Sequence, residues 1–281
     1  MTAVIVEDLH KRYGEFEALR GVSFEIREGE VFSLLGPNGA GKTTTVEILE
    51  GYRMRDGGAV SVLGADPQRA PRTWRGRVGV VLQSSAMYEL LTVRESLALF
   101  AGYYEHPRKV DDVIALIGLE EKADVRAHKL SGGQRRRLDF GLALVGDPEL
   151  IFLDEPTTGF DPNARRTAWE TIRNLRELGK TILLTTHYLD EAEQLSDRVA
   201  VLRDGKIVAT GTPADLTRTP KTEIRYREDG REIVLETEEP TRVLAELTSR
   251  AVAAGRELEG LEVRRPTLEE VYLSLTNGDE G

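Results

Sequence analysis

The chain contains no cysteine, few histidines and no long uncharged run. The absence of Cys among 281 residues excludes a disulfide framework, a thiolate nucleophile and a cysteine-ligated metal. Four histidines leave little opportunity for a zinc centre. No uncharged stretch approaches the roughly 18 residues that a membrane helix needs. Glu7 and Asp8 interrupt the start before a signal-peptide core could form, so we expect a cytoplasmic chain or one attached to a partner.

The charge balance is acidic and unevenly distributed. The chain has 38 Lys and Arg against 48 Asp and Glu, a net charge of −10. Residues 220–281 hold 9 of the basic and 15 of the acidic residues. Because a basic surplus is the electrostatic signature of a nucleic-acid binder, no nucleic-acid partner is expected. The 40% of apolar residues suffices for a buried core, which argues against disorder.

Strand and helix signals alternate through the first three quarters of the chain. The apolar runs Val31 to Leu35 and Leu150 to Leu153 predict strands, the first of them covered on both faces. The βαβ order predicts an α/β protein with a mostly parallel sheet. From Leu90 to Val145 helical signals dominate, beginning with a capping box of Thr92 and Glu95. This stretch is predicted to be a helical insert.

A different pattern follows Thr219 and predicts a small α+β satellite domain of ββαβα order. Its elements are strands at Thr222 to Tyr226 and Glu232 to Glu236, a helix at Thr241 to Ala254, a strand near Leu258 to Val263, and a helix from Thr267 capped with Glu270. The predicted domains are therefore residues 1–219, with the helical insert at about 88–146, and residues 220–281.

Residues Gly36 to Thr43 match the phosphate-binding loop pattern between an apolar strand and a helix. Backbone N–H groups of such a loop point at phosphate oxygens, Lys42 would neutralise the β- and γ-phosphates, and the Thr43 hydroxyl would ligate Mg²⁺. A tight turn with chance glycines is the alternative, but it gives Lys-Thr no purpose. The predicted nucleotide contacts are Gly36, Pro37, Asn38, Gly39, Ala40, Gly41, Lys42, Thr43 and Thr44.

Two carboxylates, Asp154 and Glu155, end an apolar strand. That position places them at the carboxyl edge of the sheet, beside the phosphate loop. Asp154 would hold Mg²⁺ through water, and Glu155 would orient and polarise the attacking water. A buried strand that ends in acids without a ligand role is the alternative, although two adjacent anions favour a nearby cation.

The segment Ser131-Gly132-Gly133-Gln134 opens a predicted helix. A capping box of Ser131 and Gln134 is an ordinary explanation for the serine. It does not explain two consecutive glycines in the first turn, each of which costs about 1 kcal/mol relative to Ala. Backbone exposed in this way suits a second phosphate-contacting surface.

Together the motifs GPNGAGKTT, LSGGQ and LIFLDE, followed by a histidine after the Thr181 strand, resemble the ATP-binding subunits of ABC transporters. The resemblance covers about Val4 to Leu216. It implies a P-loop ABC ATPase fold with a mostly parallel core sheet, an antiparallel β subdomain, a helical insert and a small C-terminal appendage. It also implies ATP hydrolysis by a head-to-tail homodimer. Each ATP would lie between the Gly36 loop of one copy and the Ser131 to Gln134 signature of the other.

The same resemblance gives roles to single residues. Gln83 would contact Mg²⁺ and water and link the site to a membrane partner, and His187 would contact the γ-phosphate. Asp161 would bridge the two sites, and Tyr13 would stack on adenine. Three of them also have an ordinary alternative: surface for Gln83, a structural role for His187 and packing for Tyr13. The implied catalytic set is Lys42, Gln83, Glu155 and His187, and the implied metal ligands are Thr43, Gln83 and Asp154.

Three segments, Leu130 to Arg166, Thr185 to Gly211 and Pro266 to Thr276, resemble the drug-exporter branch of the family, which includes daunorubicin-resistance subunits and relatives that move lipids, polysaccharides or ions. Members of this branch work with a separate membrane permease, so the resemblance implies a peripheral location at the cytoplasmic face of the membrane. The acidic tail would be a regulatory or dimer-supporting module.

Several alternatives stay open at this point. Met87, Tyr88, Leu90 and Leu91 form either a cleft for the permease or ordinary subdomain core. Soluble ABC ATPases of ribosomes or DNA usually carry tandem cassettes or long coiled coils, and neither occurs here. A module that binds ATP but barely hydrolyses it is less favoured, because Glu155 and His187 are both present. Trp169 is assigned to packing.

Overall fold

The computed structural model describes residues 1–81, 89–217, 222–228 and 231–264. Contacts divide the chain into two units, Met1–Thr210 and Gly211–Gly281. The boundary predicted after Thr219 lies further along, in the segment 218–221, which is outside the described residues. In the part of the chain that is described, no helix combines the length and apolarity that crossing a membrane requires.

The strands of the first unit follow the predicted alternation. They are β1 (Thr2–Tyr13), β2 (Phe16–Arg27), β3 (Val31–Leu35), β4 (Gly57–Val62), β5 (Val78–Val81), β6 (Leu150–Asp154), β7 (Thr181–Thr186), β8 (Arg198–Arg203) and β9 (Lys206–Gly211). The core sheet has the order β5-β6-β7-β3-β8-β9. The pairs from β5 to β8 are parallel. All residues of β3, β6 and β7 are buried, which explains their apolar runs.

A second, antiparallel sheet has the order β2-β1-β4. Its inward residues, among them Val4, Leu19 and Val60, share one core cluster with Phe32 of β3. Phe24 of β2 stacks on Phe32 with ring centroids 5.3 Å apart. The antiparallel sheet and the parallel core sheet of the predicted fold class are therefore confirmed.

The helices of the first unit are α1 (Lys42–Leu49), α2 (Arg72–Arg75), α3 (Val93–Ala101), α4 (Val110–Leu116), α5 (Gly132–Leu144), α6 (Pro162–Glu177) and α7 (Leu189–Leu195). The predicted insert corresponds to α3, α4 and α5, which bury Leu97, Val113 and Leu138 in one cluster. Both predicted capping boxes are present, Thr92 with Glu95 and Ser131 with Gln134. The helix α2 and the strand β9 were not predicted, since one turn of helix and a short half-exposed strand give weak periodicity.

The second unit contains α8 (Pro213–Leu216), β10 (Thr222–Glu228), β11 (Arg231–Thr237), α9 (Pro240–Ala253) and β12 (Glu259–Arg264). The strands form an antiparallel sheet in the order β11-β10-β12. Ile224, Tyr226 and Leu247 are buried at its core. The ββαβ part of the predicted pattern is confirmed. The helix predicted from Thr267 lies outside the described residues.

Candidate functional site

The predicted phosphate loop connects β3 to α1, and two of its glycines are required by the backbone. Gly41 has φ 107°, and a Cβ there would lie 2.9 Å from the carbonyl oxygen of Ala18. A Cβ at Gly36 would lie 2.3 Å from the carbonyl oxygen of Leu202. Only glycine fits both positions, because contacts under 3.0 Å essentially never occur for a real Cβ. The loop is therefore held close to β8 and β2 at the edge of the sheet.

Lys42 begins α1, and its side chain is only 4% exposed. Its Nζ donates hydrogen bonds to the carbonyl oxygens of Gly36 at 2.8 Å and Pro37 at 3.1 Å. The ammonium also lies 3.4 Å from Oε1 of Glu155. Burial lowers the pKa of Lys42, while the charges of Glu155 and Asp154 oppose that shift. The cation is thus held at the loop, on acceptors that phosphate oxygens can replace.

Asp154 is the last residue of β6 and pairs in register with Thr185 of β7. Its Oδ1 accepts a hydrogen bond from the Thr185 hydroxyl at 2.5 Å, and its Oδ2 accepts one from the Thr43 hydroxyl at 3.4 Å. The structure therefore brings the two described residues of the predicted metal set into direct contact. Gln83, the third, lies outside the described residues, as do Met87 and Tyr88.

Glu155 follows β6 in a left-handed conformation with φ 45°. Its backbone N–H donates to the carbonyl oxygen of Thr185 at 3.2 Å and to the hydroxyl of the same residue at 3.0 Å. The Thr158 hydroxyl donates to Oε2 at 3.1 Å, and Nδ1 of His187 lies 3.3 Å from Oε1. These contacts fix a carboxylate between Lys42 and the predicted γ-phosphate contact.

The electrostatics of Glu155 keep it ionised. Burial alone would raise the pKa of its carboxyl, but the charge of Lys42 and the neighbouring His187 and Thr158 more than offset this effect. The pKa therefore lies below its ordinary value. An ionised carboxylate at neutral pH can accept a hydrogen bond from a water molecule, which is what its predicted role requires.

Tyr13 lies on the open side of the phosphate loop, and 39% of its surface is exposed. Its hydroxyl is 3.5 Å from Oγ1 of Thr44. The guanidinium carbon of Arg53 lies 5.1 Å from the ring centroid. Tyr13 lines a cavity of about 410 Å³ together with Phe16, Ala18, Asn38, Gly39, Gly41, Lys42, Thr43, Thr44 and Glu155. The structure thus places an aromatic face and the phosphate loop in one cavity.

The signature segment lies at a different cavity. Ser131 caps α5, and the two glycines after it have no tight neighbour, since a Cβ at Gly132 would meet nothing within 4 Å. A Cβ at Gly133 would meet Ala164 only at 3.6 Å. Packing within the chain therefore does not require these glycines. The segment lines a cavity of about 580 Å³ with Thr158, Gly159, Phe160, Asp161 and Asn163.

Asp161 has a structural contact that sequence analysis did not identify. It is the N-cap of α6, and its Oδ1 accepts from the backbone N–H groups of Asn163 and Ala164, both at 2.9 Å. Thr185 and Thr158 were also not identified, although Thr185 holds the carboxylate of Asp154 and Thr158 holds that of Glu155. For Thr185 the available sequence signal was the pair of threonines before His187. A hydroxyl at the end of one strand can reach the last residue of the neighbouring strand.

The class of protein follows from this geometry. A glycine-rich loop between strand and helix, a buried lysine, and two carboxylates at the end of the neighbouring strand define a P-loop nucleoside triphosphatase. Residues 19–158 match the family model described as ABC transporter.

Curated relatives and solved structures agree with this match. The chain is 37% identical to a daunorubicin resistance ATP-binding protein of Streptomyces coeruleorubidus, covering 99% of this chain and 97% of the relative. It is 44% identical to Nod factor export ATP-binding protein I of Paraburkholderia xenovorans, over 76% of this chain and 72% of the relative. A solved ATP-binding subunit of an ABC transporter superposes with a TM-score of 0.73 at 26% identity, covering 98% and 99% of the two chains.

One further solved structure bears on assembly. It is a dimeric ATP-binding cassette bound to ADP and Pi in a post-hydrolysis state, with a TM-score of 0.66, 27% identity, and coverage of 74% of this chain and 98% of the other. The chain belongs to the ABC transporter family. It is an ATP-binding subunit with ATPase activity.

Proposed function

We propose that ATP hydrolysis by this chain drives export through a separate membrane permease. One observation carries the catalytic part: Glu155 lies within 3.4 Å of Lys42 and within 3.3 Å of His187 at the carboxyl edge of the core sheet. The export part is supported by the relatives, which are named for daunorubicin resistance and for Nod factor export. The permease would hold the chain at the cytoplasmic face of the membrane.

The residues of the loop would bind the triphosphate and place it against Glu155. Lys42 would exchange the carbonyl oxygens of Gly36 and Pro37 for phosphate oxygens, which supply stronger, charge-assisted hydrogen bonds. Tyr13 would stack on the base with its exposed face. Glu155 would accept a hydrogen bond from the attacking water, and His187 would donate one to the γ-phosphate. These assignments are supported by Tyr13, Lys42 and Glu155, which line one cavity, and by His187, which lies 3.3 Å from Glu155.

The donor set at Thr43 and Asp154 fits Mg²⁺. One hydroxyl and one carboxylate in contact match the few protein ligands that this ion takes beside phosphate oxygens and water. Bound there, magnesium would neutralise charge on the phosphates. Asp154 is prepared for this task because Thr185 fixes one of its oxygens and leaves the other facing Thr43. Gln83 is the third proposed ligand.

A head-to-tail homodimer would complete each site. Among the described residues, the cavity at Lys42 and the cavity at the signature segment share no lining residue. Gly132 and Gly133 expose backbone that packing does not require. A second copy could place this backbone against the γ-phosphate, with Asp161 beside it. The dimeric cassette among the solved relatives supports this arrangement.

The permease would dock near the start of the helical insert. Leu90 precedes α3 and is 74% exposed, so a partner can reach its side chain. Leu90→Asp should therefore release the permease and spare the ATPase of the isolated chain. Tyr103→Asp is the matched control, since Tyr103 lies at the other end of α3 with 72% exposure.

The experiment is affinity purification of the tagged chain from detergent-solubilised native membranes, followed by mass spectrometry. One polytopic membrane protein should be recovered with the wild-type chain and with Tyr103→Asp, and lost with Leu90→Asp. Recovery of ribosomal or DNA-associated proteins in its place would refute the export proposal. It would favour a soluble ABC ATPase.

A further inference from the structure

A buried carboxylate behind the site is not used by the roles given above. Glu191 lies in the first turn of α7 and is 0% exposed. Burying a glutamate costs free energy unless other groups hydrogen-bond to its carboxyl group. The partners of Glu191 therefore show how its burial is stabilised. Burial raises the pKa of Glu191, and the hydroxyls of Thr186 and Thr157 and the indole of Trp169 oppose that rise.

Two separate segments donate hydrogen bonds to this carboxyl group. The Thr157 hydroxyl donates to Oε1 at 2.8 Å, and Nε1–H of Trp169 donates to the same oxygen at 3.2 Å. Thr157 follows Glu155 by two residues, Trp169 lies on α6, and Glu191 itself follows His187 by four residues. The contacts at Glu191 thus connect the chain beyond Glu155 to the turn that carries His187.

The signature helix reaches the same region. Arg136 of α5 is buried, and its Nε donates to the carbonyl oxygen of Pro156 at 3.1 Å. Burial lowers the pKa of Arg136, and the charges of Asp139, Asp154 and Glu191 oppose that shift. The Pro156-Thr157 segment is therefore held from one side by α5 and from the other by α7.

We propose that Glu191 is a positioning residue for ATP hydrolysis, which fixes the segment behind Glu155 to the turn that carries His187. The 3.3 Å separation of these two side chains depends on both segments keeping their places. Glu191 acts through Thr157 on one side and through the start of α7 on the other. This inference rests on the roles proposed for Glu155 and His187.

The first test reads the position of His187 directly. The chain has only four histidines, so a sample with histidine labelled at Cε1 gives four ring signals in a ¹H–¹³C spectrum. Glu191→Ala should move the signal of His187 by several line widths and leave those of His10, His106 and His128 in place. Glu193→Ala is the matched control, because Glu193 is an exposed glutamate of the same helix. An unmoved His187 signal in folded Glu191→Ala would overturn the proposal.

The second test separates positioning from stability. Glu191→Ala should lower kcat at least about tenfold while the KM for ATP changes less than about threefold, the pattern of an interaction used in the transition state. Glu191→Gln should keep kcat within about threefold of wild type, because its amide oxygen can still accept from Thr157 and Trp169. A kcat for Glu191→Ala equal to that of Glu193→Ala, measured well below both melting temperatures, would show a merely structural role.

Milder variants cover the case in which Glu191→Ala does not fold. Thr157→Val and Trp169→Phe each remove one donor to Oε1, so each should lower kcat and shift the His187 signal in the same direction. If Glu155→Gln and His187→Ala retain full ATPase activity, the proposed function fails. If both abolish it and the Thr157, Trp169 and Glu191 variants change neither kcat nor the His187 signal, only the present inference fails.

Discussion

Thr185 contacts both the Asp154 carboxylate and the backbone of Glu155, and removal of its hydroxyl gives a quantitative prediction. The residue is fully buried at the end of β7. Its hydroxyl donates to Oδ1 of Asp154 at 2.5 Å and accepts from the backbone N–H of Glu155 at 3.0 Å. Thr185→Val is nearly isosteric and removes both hydrogen bonds, whereas Thr185→Ser keeps the hydroxyl and removes a methyl group.

The two variants should lose different amounts of unfolding free energy. A hydrogen bond to a charged group contributes about 1.5–3 kcal/mol, so Thr185→Val should lose about this much in unfolding free energy. In Thr185→Val the backbone N–H of Glu155 keeps its hydrogen bond to the carbonyl oxygen of residue 185, 3.2 Å away. This N–H group therefore loses only one of its two acceptors. Thr185→Ser should lose about 0.8 kcal/mol for the buried methyl group.

Catalysis should separate the variants further. Without the Thr185 hydroxyl the Asp154 carboxylate can rotate away from Thr43. We therefore expect the kcat of Thr185→Val to fall by about 10- to 100-fold, which is the factor that corresponds to the lost hydrogen-bond energy. Thr185→Ser should stay within about threefold of wild type. The assays are steady-state ATP hydrolysis and urea denaturation. Equal kcat values for the two variants would refute the claim that the hydroxyl positions the Asp154 carboxylate and the backbone of Glu155.

The remaining predictions concern binding and pH. Lys42→Ala should weaken ATP binding, measured by calorimetry, whereas Glu155→Gln should retain binding and lose hydrolysis; equal affinity of Lys42→Ala and wild type would contradict the role of Lys42. Folding lowers the pKa of Glu155, so its carboxylate stabilises the folded chain at pH values above its ordinary pKa of 4.5. This contribution is lost as the pH falls through the pKa that Glu155 has in the folded chain. Glu155→Gln should therefore show a smaller loss of unfolding free energy between pH 7 and pH 4 than wild type. Burial and the charges of Asp154 and Glu47 raise the pKa of Glu50 in the folded chain to about 8. As the pH rises from 4.5 to about 8, Glu50 ionises in the unfolded chain before it ionises in the folded chain, so the wild type loses stability. Without nucleotide and magnesium, Glu50→Gln should raise the melting temperature at pH 8 and change it little at pH 4.5; the same increase at both values would exclude ionisation as the cause.

Much of the fold could be predicted because its strands are buried on both faces. Val31 to Leu35 reads as an unbroken apolar run, and the structure has β3 at these residues. The capping boxes at Thr92 and Ser131 were predictable for a similar reason, since both partners lie three residues apart in the sequence. Short or half-exposed elements such as α2 and β9 carry no comparable local signal.

The site was predictable to the extent that its residues form contiguous motifs. The loop from Gly36 to Thr43 and the pair Asp154 and Glu155 are read directly from the sequence. Thr185 and Glu191 could not be found in this way, because their importance arises from partners 31 and 34 residues distant in the chain. Only the parallel register of β6 and β7, and the packing of α7 behind them, brings these partners together.

The most direct test of the account is the mass of the Glu155→Gln chain in solution, measured by multi-angle light scattering with and without ATP and magnesium. A monomer is expected without ATP and a dimer with it, because hydrolysis no longer reopens the sites. Ser131→Arg in the same background should still bind ATP and remain a monomer. A Glu155→Gln chain that binds ATP and stays monomeric would contradict the claim that a second copy completes each site.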